Sequence, residues 1–475
     1  MGKYSRLGKN TALVFIGSAG SKLLSLLMLP FYTRWLTVGD YGTVDLITTY
    51  SWLLLGIISC GIFDSIFIFP KDKPECRQAE YFSSGLLFCI ATSLMAALIF
   101  AVLDRMAWPR IIPDFIHSNL WSIYAVIFAN YLQSFVQQFL RSIDRMTVYS
   151  ITGIVMTVCM ILFSFILIPE YGVNGYIASL VLGSLCSVVY SVIAGRLWTY
   201  VRADAVGVEL VKEMLKYSIP LIPNGIMWFL IASLNRPVLE NYVGLWAVGI
   251  FAVAGKFPNL LNTFYLLFQN AWLISVLEEA KRPDFRAFYN NMLKIVVAVQ
   301  IFIAVVLSFG GKIIIKIFAT PDFYSAWQYI PLLVTGVIFM NVATYVGSWF
   351  AVTRESRYYF YSTAMSGFTS LILNFALIPI WGLWGACWAM IFSQFIGMAA
   401  RIKFTWNSVR ITDIDFYIGN ALFLTCGVAS PLLLDGTHWL YISAVILTGI
   451  FCYINRLQIS KVIEFIKQKY RREAI

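Results

Sequence analysis

Charged side chains are scarce in this chain. Asp, Glu, Lys and Arg make up 12% of its 475 residues, whereas a soluble protein carries about 25%. No long polar stretch remains in which a water-soluble domain could fold. Histidine is nearly absent, with two residues, and the eight cysteines form no cluster with them. We therefore expect neither a metal centre nor a cofactor.

Apolar residues dominate instead, and the hydrophobic set accounts for 60% of the chain. They occur in runs of about 20 residues, long enough for a helix to cross the hydrocarbon core of a bilayer. The pattern predicts an all-α, polytopic membrane protein with about fourteen transmembrane helices. The predicted helices span 11–36, 41–69, 82–108, 117–140, 148–169, 173–195, 216–239, 244–276, 288–317, 327–352, 360–379, 383–404, 415–434 and 438–457.

Lysine and arginine are divided unevenly between the connecting segments. With an even number of helices both termini lie on one side, and 27 of the 35 Lys and Arg residues fall on that side. Six fall on the opposite side, and Lys22 and Lys256 lie within helices. The positive-inside rule therefore predicts cytoplasmic termini. The net charge of +11 follows from this topology and from contact with anionic lipids, so we expect no nucleic-acid partner.

Three segments recur in the same order about 210 residues later. Residues 167–175 (Leu-Ile-Pro-Glu-Tyr-Gly-Val-Asn-Gly) return as 377–385 (Leu-Ile-Pro-Ile-Trp-Gly-Leu-Trp-Gly). The other two matches pair 145–150 with 357–362, and Pro30 and Tyr41-Gly42 with Pro237 and Val248-Gly249. Such internal repeats are typical of transporters, in which two similar helical bundles rock against each other around a shared cavity.

The repeat predicts four regions along the chain. A first six-helix lobe (1–198) is followed by a charged cytoplasmic linker (199–216) and a second six-helix lobe (217–406). Two further helices and a basic tail (411–475) lie outside the repeat, and the tail is expected to lie on the inner leaflet as an amphipathic helix. Because each lobe has an even number of helices, both lobes have the same orientation, with a cavity between them.

Two lysines lie where a charge is costly. Lys22 is about eleven residues from the nearer end of the first predicted helix, roughly 16 Å, which a snorkelling lysine cannot span. Lys256 lies in the eighth predicted helix, with Asn259 and Asn270 on the same face. Neither lysine has an acidic residue three or four positions away. Since a lysine at the bilayer centre costs about 2.5–3.5 kcal/mol, each is predicted to line a cavity that binds an anion such as phosphate, or to pair with another helix.

Other charged residues are weaker candidates for the same cavity. Asp45 and Asp64, in the second predicted helix, either line it or neutralise the lysines. Arg34 and Arg236 lie near the outer ends of the first and seventh predicted helices. They either line the outer mouth of the cavity or anchor their helices at the interface.

The fourth predicted helix carries a polar stripe formed by Asn130, Gln133 and Gln137. These amides could bind sugar hydroxyls within the cavity through hydrogen bonds. Packing between helices uses the same residue types. The sequence leaves both interpretations open.

Residues around the first helix resemble a known family. Residues 29–36 (Leu-Pro-Phe-Tyr-Thr-Arg-Trp-Leu), followed by Tyr41-Gly42, are similar to the opening of the polysaccharide transporters. These include the O-antigen flippases and belong to the multidrug, oligosaccharidyl-lipid and polysaccharide exporter superfamily. The resemblance continues through residues 217–223 (Tyr-Ser-Ile-Pro-Leu-Ile-Pro), Asn235-Arg236, Gly249-Ile250, Lys256, Pro258 and 374–385. The sequence departs from the family pattern at Asn235, where an acidic residue is expected, and at Leu273, where a proline-containing continuation is more usual.

The resemblance implies a flippase that moves an undecaprenyl-diphosphate-linked oligosaccharide from the cytoplasmic to the periplasmic leaflet of the bacterial inner membrane. The oligosaccharide would be an O-antigen, capsule or exopolysaccharide repeat unit. The related lipid II flippases use cations in helices 1 and 8, to which Lys22 and Lys256 correspond. The implied partners are this substrate, membrane lipids, and the polymerase and assembly proteins of polysaccharide synthesis.

Two other classes of function remain open. A multidrug exporter of the same superfamily would bind cations and couple transport through carboxylates, for which Asp45 and Asp64 are the candidates. A membrane enzyme, such as an O-antigen polymerase or ligase, would need catalytic loops on the outer side. The longest outer segments run to only about a dozen residues and contain no nucleophile paired with a base, so we expect no catalytic residues.

Overall fold

The computed structural model describes residues 20–105, 114–202, 204, 206–458 and 460. Within these ranges there is no β-strand, and nine helices are long and apolar enough to cross a membrane. This confirms the predicted all-α, multi-pass membrane fold, whereas the number of fourteen helices stays a prediction. The start of the first predicted helix and the basic tail at 461–475 lie outside the described residues.

The chain forms two compact units. Unit 1 comprises Met1–Phe229 and Val243–Ala252, and unit 2 comprises Leu230–Tyr242 and Val253–Ile475. The helices up to the first boundary are α1 (20–27), α2 (Leu29–Trp35), α3 (Val38–Ile58), α4 (Ile62–Ile68), α5 (Glu75–Arg105), α6 (Asp114–Ser118), α7 (Leu120–Ser142), α8 (Met146–Ala194) and α9 (Val208–Ser218). The helices from there on are α10 (Ile222–Ala232), α11 (Asn235–Tyr242), α12 (Leu245–Glu279), α13 (Phe285–Phe318), α14 (Ile330–Gly347), α15 (Trp349–Thr353), α16 (Ser356–Thr405), α17 (Ile414–Leu433) and α18 (Trp439–Ile454). The boundaries fall within α10, after α11, and within α12 between Ala252 and Val253.

The repeated Pro-x-aromatic-Gly segment forms a tight helical hairpin in each unit. Gly172 in α8 has φ 54° and ψ −123°, and Gly382 in α16 has φ 54° and ψ −127°. Only glycine adopts this region readily. Each glycine therefore divides its long helix into two arms, as the sequence predicts from the breaks after 169 and 379. The two copies share one backbone geometry as well as one sequence pattern.

Contacts across α8 show that its two arms lie side by side. The Ser164 hydroxyl donates to the Ser179 hydroxyl at 3.0 Å, although fifteen residues of straight helix would separate them by about 22 Å. A Cβ atom at Gly175 would lie 2.1 Å from the carbonyl oxygen of Leu167. Small residues therefore permit the close approach of the arms, as is common between membrane helices.

Glycines also bring α3 and α12 together within unit 1. A Cβ atom at Gly42 would lie 2.1 Å from the carbonyl oxygen of Leu245, and one at Gly249 would lie 2.0 Å from that of Val38. The two backbones touch directly, so neither position can hold a larger residue without moving a helix. The contact fixes the beginning of α12 against the beginning of α3.

Several of the predicted continuous helices are interrupted. The helix predicted over 11–36 breaks at Met28, between α1 and α2, and the one over 327–352 breaks at Ser348, between α14 and α15. The sequence predicts one helix over 41–69, yet the chain breaks between α3 and α4, where Cys60 has φ 48° and Gly61 has φ 69°. It also predicts one helix over 216–239. There Ile219–Leu221 forms a 3₁₀ turn at a proline that cannot donate a backbone hydrogen bond, and a second break separates α10 from α11.

Helix α17 is held at both ends to α13, in unit 2. The Lys294 ammonium pairs with Asp413, just before α17, and Lys312 pairs with Asp435, just after it. The hydrogen bond from Lys294 lowers the pKa of the Asp413 carboxyl below its ordinary value. Because the residue numbers rise together along both helices, α13 and α17 run parallel. The predicted topology likewise has these two helices running in the same direction.

Candidate functional site

Lys22 lies on the exposed face of α1. The neighbouring Ser21 hydroxyl donates to the carbonyl oxygen of Gly153 in α8 at 3.3 Å. Since successive helical residues are about 100° apart, packing of Ser21 against α8 turns Lys22 away from that contact. The local structure therefore presents the ammonium group at the surface of unit 1.

Lys256 lies on a helix with two different faces. One face of α12 carries Lys256, which is half-buried, with Asn259 and Asn270, which are exposed. The opposite face binds α14: Gln269 donates to the carbonyl oxygen of Thr344 at 3.3 Å, and Trp272 donates to Ser348 at 3.1 Å. Because these hydrogen bonds fix one face of α12 to α14, the face with Lys256 and the two asparagines points away from α14.

Arg34 and Arg236 have different surroundings. Arg34 lies exposed in the last turn of α2. The Arg236 guanidinium donates to the carbonyl oxygen of Ala232 at 3.0 Å and to the Asn235 side chain at 3.3 Å. It therefore caps the C-terminal end of α10, where carbonyl groups lack helical partners. Asn235, the departure from the family pattern, is the residue that accepts this second hydrogen bond.

The acidic candidates differ in exposure. Asp45 is half-buried within α3, whereas Asp64 is exposed in the first turn of α4, immediately after the break at Gly61. The two carboxylates thus belong to different helices, although the sequence predicts a single helix for both.

The polar stripe of α7 faces α8 at two of its three positions. The buried Gln133 amide donates to the sulfur of Met156 at 2.9 Å, and Asn130 accepts a hydrogen bond from Ser184 at 3.4 Å. Gln137 is half-buried. Asn130 and Gln133 therefore contribute to packing between helices, one of the two roles that the sequence leaves open.

Sequence reasoning missed Arg401, the one buried arginine among the described residues. Its side chain is 4% exposed. It donates to the carbonyl oxygen of Ala343 at 2.9 Å, to Ser362 at 3.1 Å and to Thr363 at 3.2 Å, and it lies 4.3 Å from the centre of the Tyr359 ring. No carboxylate is among these contacts. The partial negative charge at the C-terminal end of α14, where Ala343 lies, stabilises the cation instead.

The repeat could have revealed this residue. Thr152 and Ser191 in α8 lie 210 positions before Ser362 and Arg401 in α16, which is the offset of the repeated hairpin segment. In unit 1 the pair is joined by a hydrogen bond of 2.8 Å between two hydroxyls. In unit 2 the Arg401 guanidinium joins the two arms of α16 and also donates a hydrogen bond to α14. The charge count instead assigns Arg401 to a cytoplasmic loop.

Replacing Arg401 with methionine is expected to destabilise unit 2. The substitution keeps the aliphatic volume but leaves the carbonyl of Ala343 and two hydroxyls without their donor, which lowers the free energy of unfolding by about 3 kcal/mol. The measurement is the thermal unfolding of the purified protein in detergent. Arg357→Met, on the exposed surface of the same helix, is the control. Equal melting temperatures for both variants would contradict this role.

Metal-ligating residues do not converge in the part of the chain that the structure describes, where no group of three or more His, Cys, Asp or Glu side chains occurs. All eight cysteines are free thiols. The cations and amides among the candidate residues can bind an anionic or hydroxylated ligand through charge and hydrogen bonds.

Residues 7–274, more than half of the chain, match the protein family described as polysaccharide biosynthesis protein. The capsular polysaccharide biosynthesis protein CapF of Staphylococcus aureus is 21% identical over 407 residues, which cover 83% of this chain and 98% of the relative. A putative O-antigen transporter of Shigella dysenteriae is 20% identical over 412 residues, which cover 83% of this chain and 99% of the relative.

A solved transporter has a similar fold. The lipid II flippase MurJ, in an inward closed conformation, matches with a TM-score of 0.71 and 15% sequence identity. The match covers 95% of this chain and 100% of that chain. At this level of identity the similarity concerns the fold alone.

Proposed function

This chain belongs to the polysaccharide biosynthesis protein family, and on that premise we propose that it is a flippase for an undecaprenyl-diphosphate-linked oligosaccharide. The proposed direction is from the cytoplasmic to the periplasmic leaflet of the bacterial inner membrane, with both termini in the cytoplasm. One relative is named for capsule synthesis and the other for O-antigen transport. Both names support a role in the synthesis of an extracellular polysaccharide.

The observation that carries the proposal is the polar face of α12. Lys256, Asn259 and Asn270 share this face, and the opposite face is fixed to α14. The ammonium group of Lys256 and the amides beside it can bind an anionic, hydroxylated head group through charge and hydrogen bonds. A diphosphate supplies the anion, and the amides suit hydroxyl groups of the adjoining sugar. Lys22, exposed on α1, supplies the second proposed cation.

Physical chemistry explains why such a substrate needs a protein. A sugar head group cannot cross hydrocarbon without satisfying its hydrogen bonds, whereas its polyprenyl chain can stay in the lipid. The two six-helix lobes of the repeat are proposed to alternate around a cationic cavity that shelters only the head group. An inside-negative potential favours outward movement of the anion by roughly 2.3 kcal/mol per charge per 100 mV.

We expect cells that lack the protein to accumulate the lipid-linked repeat unit in the cytoplasmic leaflet. The measurement is mass spectrometry of extracted lipids, combined with the accessibility of the sugar to a lectin added outside spheroplasts. Restoring the gene should return the sugar to the outer leaflet. If the repeat unit reaches that leaflet at the normal rate without the protein, the chain is not its flippase.

A multidrug exporter is the alternative within the same superfamily. Lipids that co-purify with the protein separate the two functions, because the flippase should retain a polyprenyl-diphosphate sugar that mass spectrometry identifies. Raised sensitivity of deletion cells to cationic drugs, with normal surface polysaccharide, would favour the exporter instead.

A further inference from the structure

Unit 2 contains an apolar cavity of about 690 Å³ between α13, α14, the second arm of α16 and α17. Its walls are formed by aliphatic and aromatic side chains, among them Val297, Leu332, Phe395 and Leu424. The volume lies within the range of about 300–1,000 Å³ that is usual for ligand sites. Protein interiors contain few voids larger than a water molecule, so a space of this size suits a bound ligand. Because its walls offer hydrocarbon, the natural occupant is a hydrocarbon chain.

The cavity continues to the end of α16, where its character changes. A second cavity, of about 480 Å³, shares Phe395, Met398, Ile402 and Trp406 with the first and adds Lys403 and Asn407 to its lining. The two spaces therefore lie next to each other along one wall of α16. Taken together as one cleft, they extend from apolar residues to a lysine, an amide and an indole.

A second cation lies beside Trp406, a residue that lines both spaces. The Arg410 guanidinium lies 5.6 Å from the centre of the Trp406 ring. Arg410 and Lys403 are both exposed, and neither forms an ion pair with any of the described residues. The mouth of the cleft thus has two positive charges available to an anion, next to a tryptophan of the kind found at membrane interfaces.

From this arrangement we infer that the cleft binds one anionic diacyl phospholipid. The phosphate lies between Lys403 and Arg410, the glycerol region lies against Trp406 and Asn407, and an acyl chain enters the apolar cavity. The predicted topology places residues 401–410 on the cytoplasmic side, where the surface of the membrane is negative.

The lipid has a structural consequence for α17. The ion pairs to Asp413 and Asp435 hold this helix to α13 at its ends, while the cavity separates its middle from α14 and α16. An acyl chain in that space supplies the missing contacts along the middle of the helix. The polyprenyl chain of the substrate is the competing occupant. Its sugar head would find a single amide, Asn407, at this opening, which favours an occupant without a sugar.

Native mass spectrometry of the full-length protein in detergent tests the inference. We expect phosphatidylglycerol to remain bound and phosphatidylcholine to dissociate. The double variant Lys403→Gln, Arg410→Gln should weaken phosphatidylglycerol binding at least tenfold. Ala429→Phe, which fills the cavity from α17, should do the same while the mouth keeps its charge. The control is Lys71→Gln, Lys73→Gln, which removes two exposed charges from the turn after α4.

Three results would overturn the inference. One is equal loss of binding in the control and in the Lys403, Arg410 variant, which would indicate general attraction to anionic lipid. Another is equal retention of phosphatidylcholine and phosphatidylglycerol. The third is displacement of phosphatidylglycerol by a polyprenyl phosphate that binds more tightly and loses affinity in Ala429→Phe, since the cleft would then hold the substrate chain. The proposed flippase activity does not depend on any of these outcomes.

Discussion

Replacing Gly42 with valine should leave almost no folded protein in the membrane. Even the first added carbon would lie 2.1 Å from the carbonyl oxygen of Leu245 and 2.8 Å from the amide nitrogen of Gly249. Both atoms belong to the backbone of α12, so no side-chain rotation relieves the overlap. Separating α3 from α12 should cost more free energy than overpacking usually does, which is about 1–3 kcal/mol. Such a loss is a large part of the free energy of unfolding of a typical protein. Gly249→Val should have the same effect, since its added carbon meets the carbonyl of Val38.

The same helix provides a matched control. Gly56 also lies in α3 but is exposed, with no atom within 4 Å of an added Cβ. Gly56→Val therefore makes the same chemical change, with the same change in helix propensity, outside the contact. The measurement is the amount of monodisperse protein recovered from membranes, followed by its melting temperature. If Gly42→Val and Gly56→Val behave alike, the contact between α3 and α12 does not limit stability.

Removing the positive charge of Lys22 or Lys256 should lower export at least tenfold without loss of protein. A hydrogen bond between charged groups contributes about 1.5–3 kcal/mol, and each 1.4 kcal/mol corresponds to a factor of ten. Lys22→Gln and Lys256→Gln should therefore slow translocation and raise the cytoplasmic pool of the lipid-linked repeat unit. The measurements are surface polysaccharide, the size of that pool, and the protein content of the membrane.

Arginine at either position distinguishes a charge contact from a packing defect. Lys22→Arg and Lys256→Arg keep the charge and should retain most of the export, whereas a packing defect would worsen with the larger side chain. Lys71→Gln, in an exposed turn, is the control for loss of a charge elsewhere. Normal export by both glutamine variants would show that the lysines are not part of the substrate site. The family assignment would still stand.

The sequence is informative about the fold where short-range chemistry decides it. Proline and glycine at 169–172 and 379–382 predict both hairpins, and the length of the apolar runs predicts helices that cross the membrane. The local sequence does not predict the breaks at Cys60-Gly61 and between α10 and α11. At the first, Gly61 lies against the backbone of Ser218, and at the second the Ser370 hydroxyl donates to the carbonyl of Leu230. Both contacts join segments that are distant in sequence.

In the candidate site, too, the sequence identifies some residues and cannot identify the contacts of others. A lysine in the middle of an apolar run is conspicuous in the sequence, because a charge at that depth is costly in hydrocarbon. The role of an amide or an arginine depends on what lies opposite. Gln133 meets Met156, Arg236 caps α10, and Arg401 joins three helical segments, and the sequence alone specifies none of these partners.

The contact between α3 and α12 joins residues that are also counterparts in the sequence repeat. Val38 and Gly42 correspond to Leu245 and Gly249, so each glycine meets the carbonyl of the other's equivalent neighbour. This reciprocity characterises an isologous contact, in which two copies of one surface meet about a twofold axis. Duplication of one self-pairing unit would produce this reciprocity, with each glycine facing the other copy. The two positions share one steric constraint, so enlarging either residue separates the two helices.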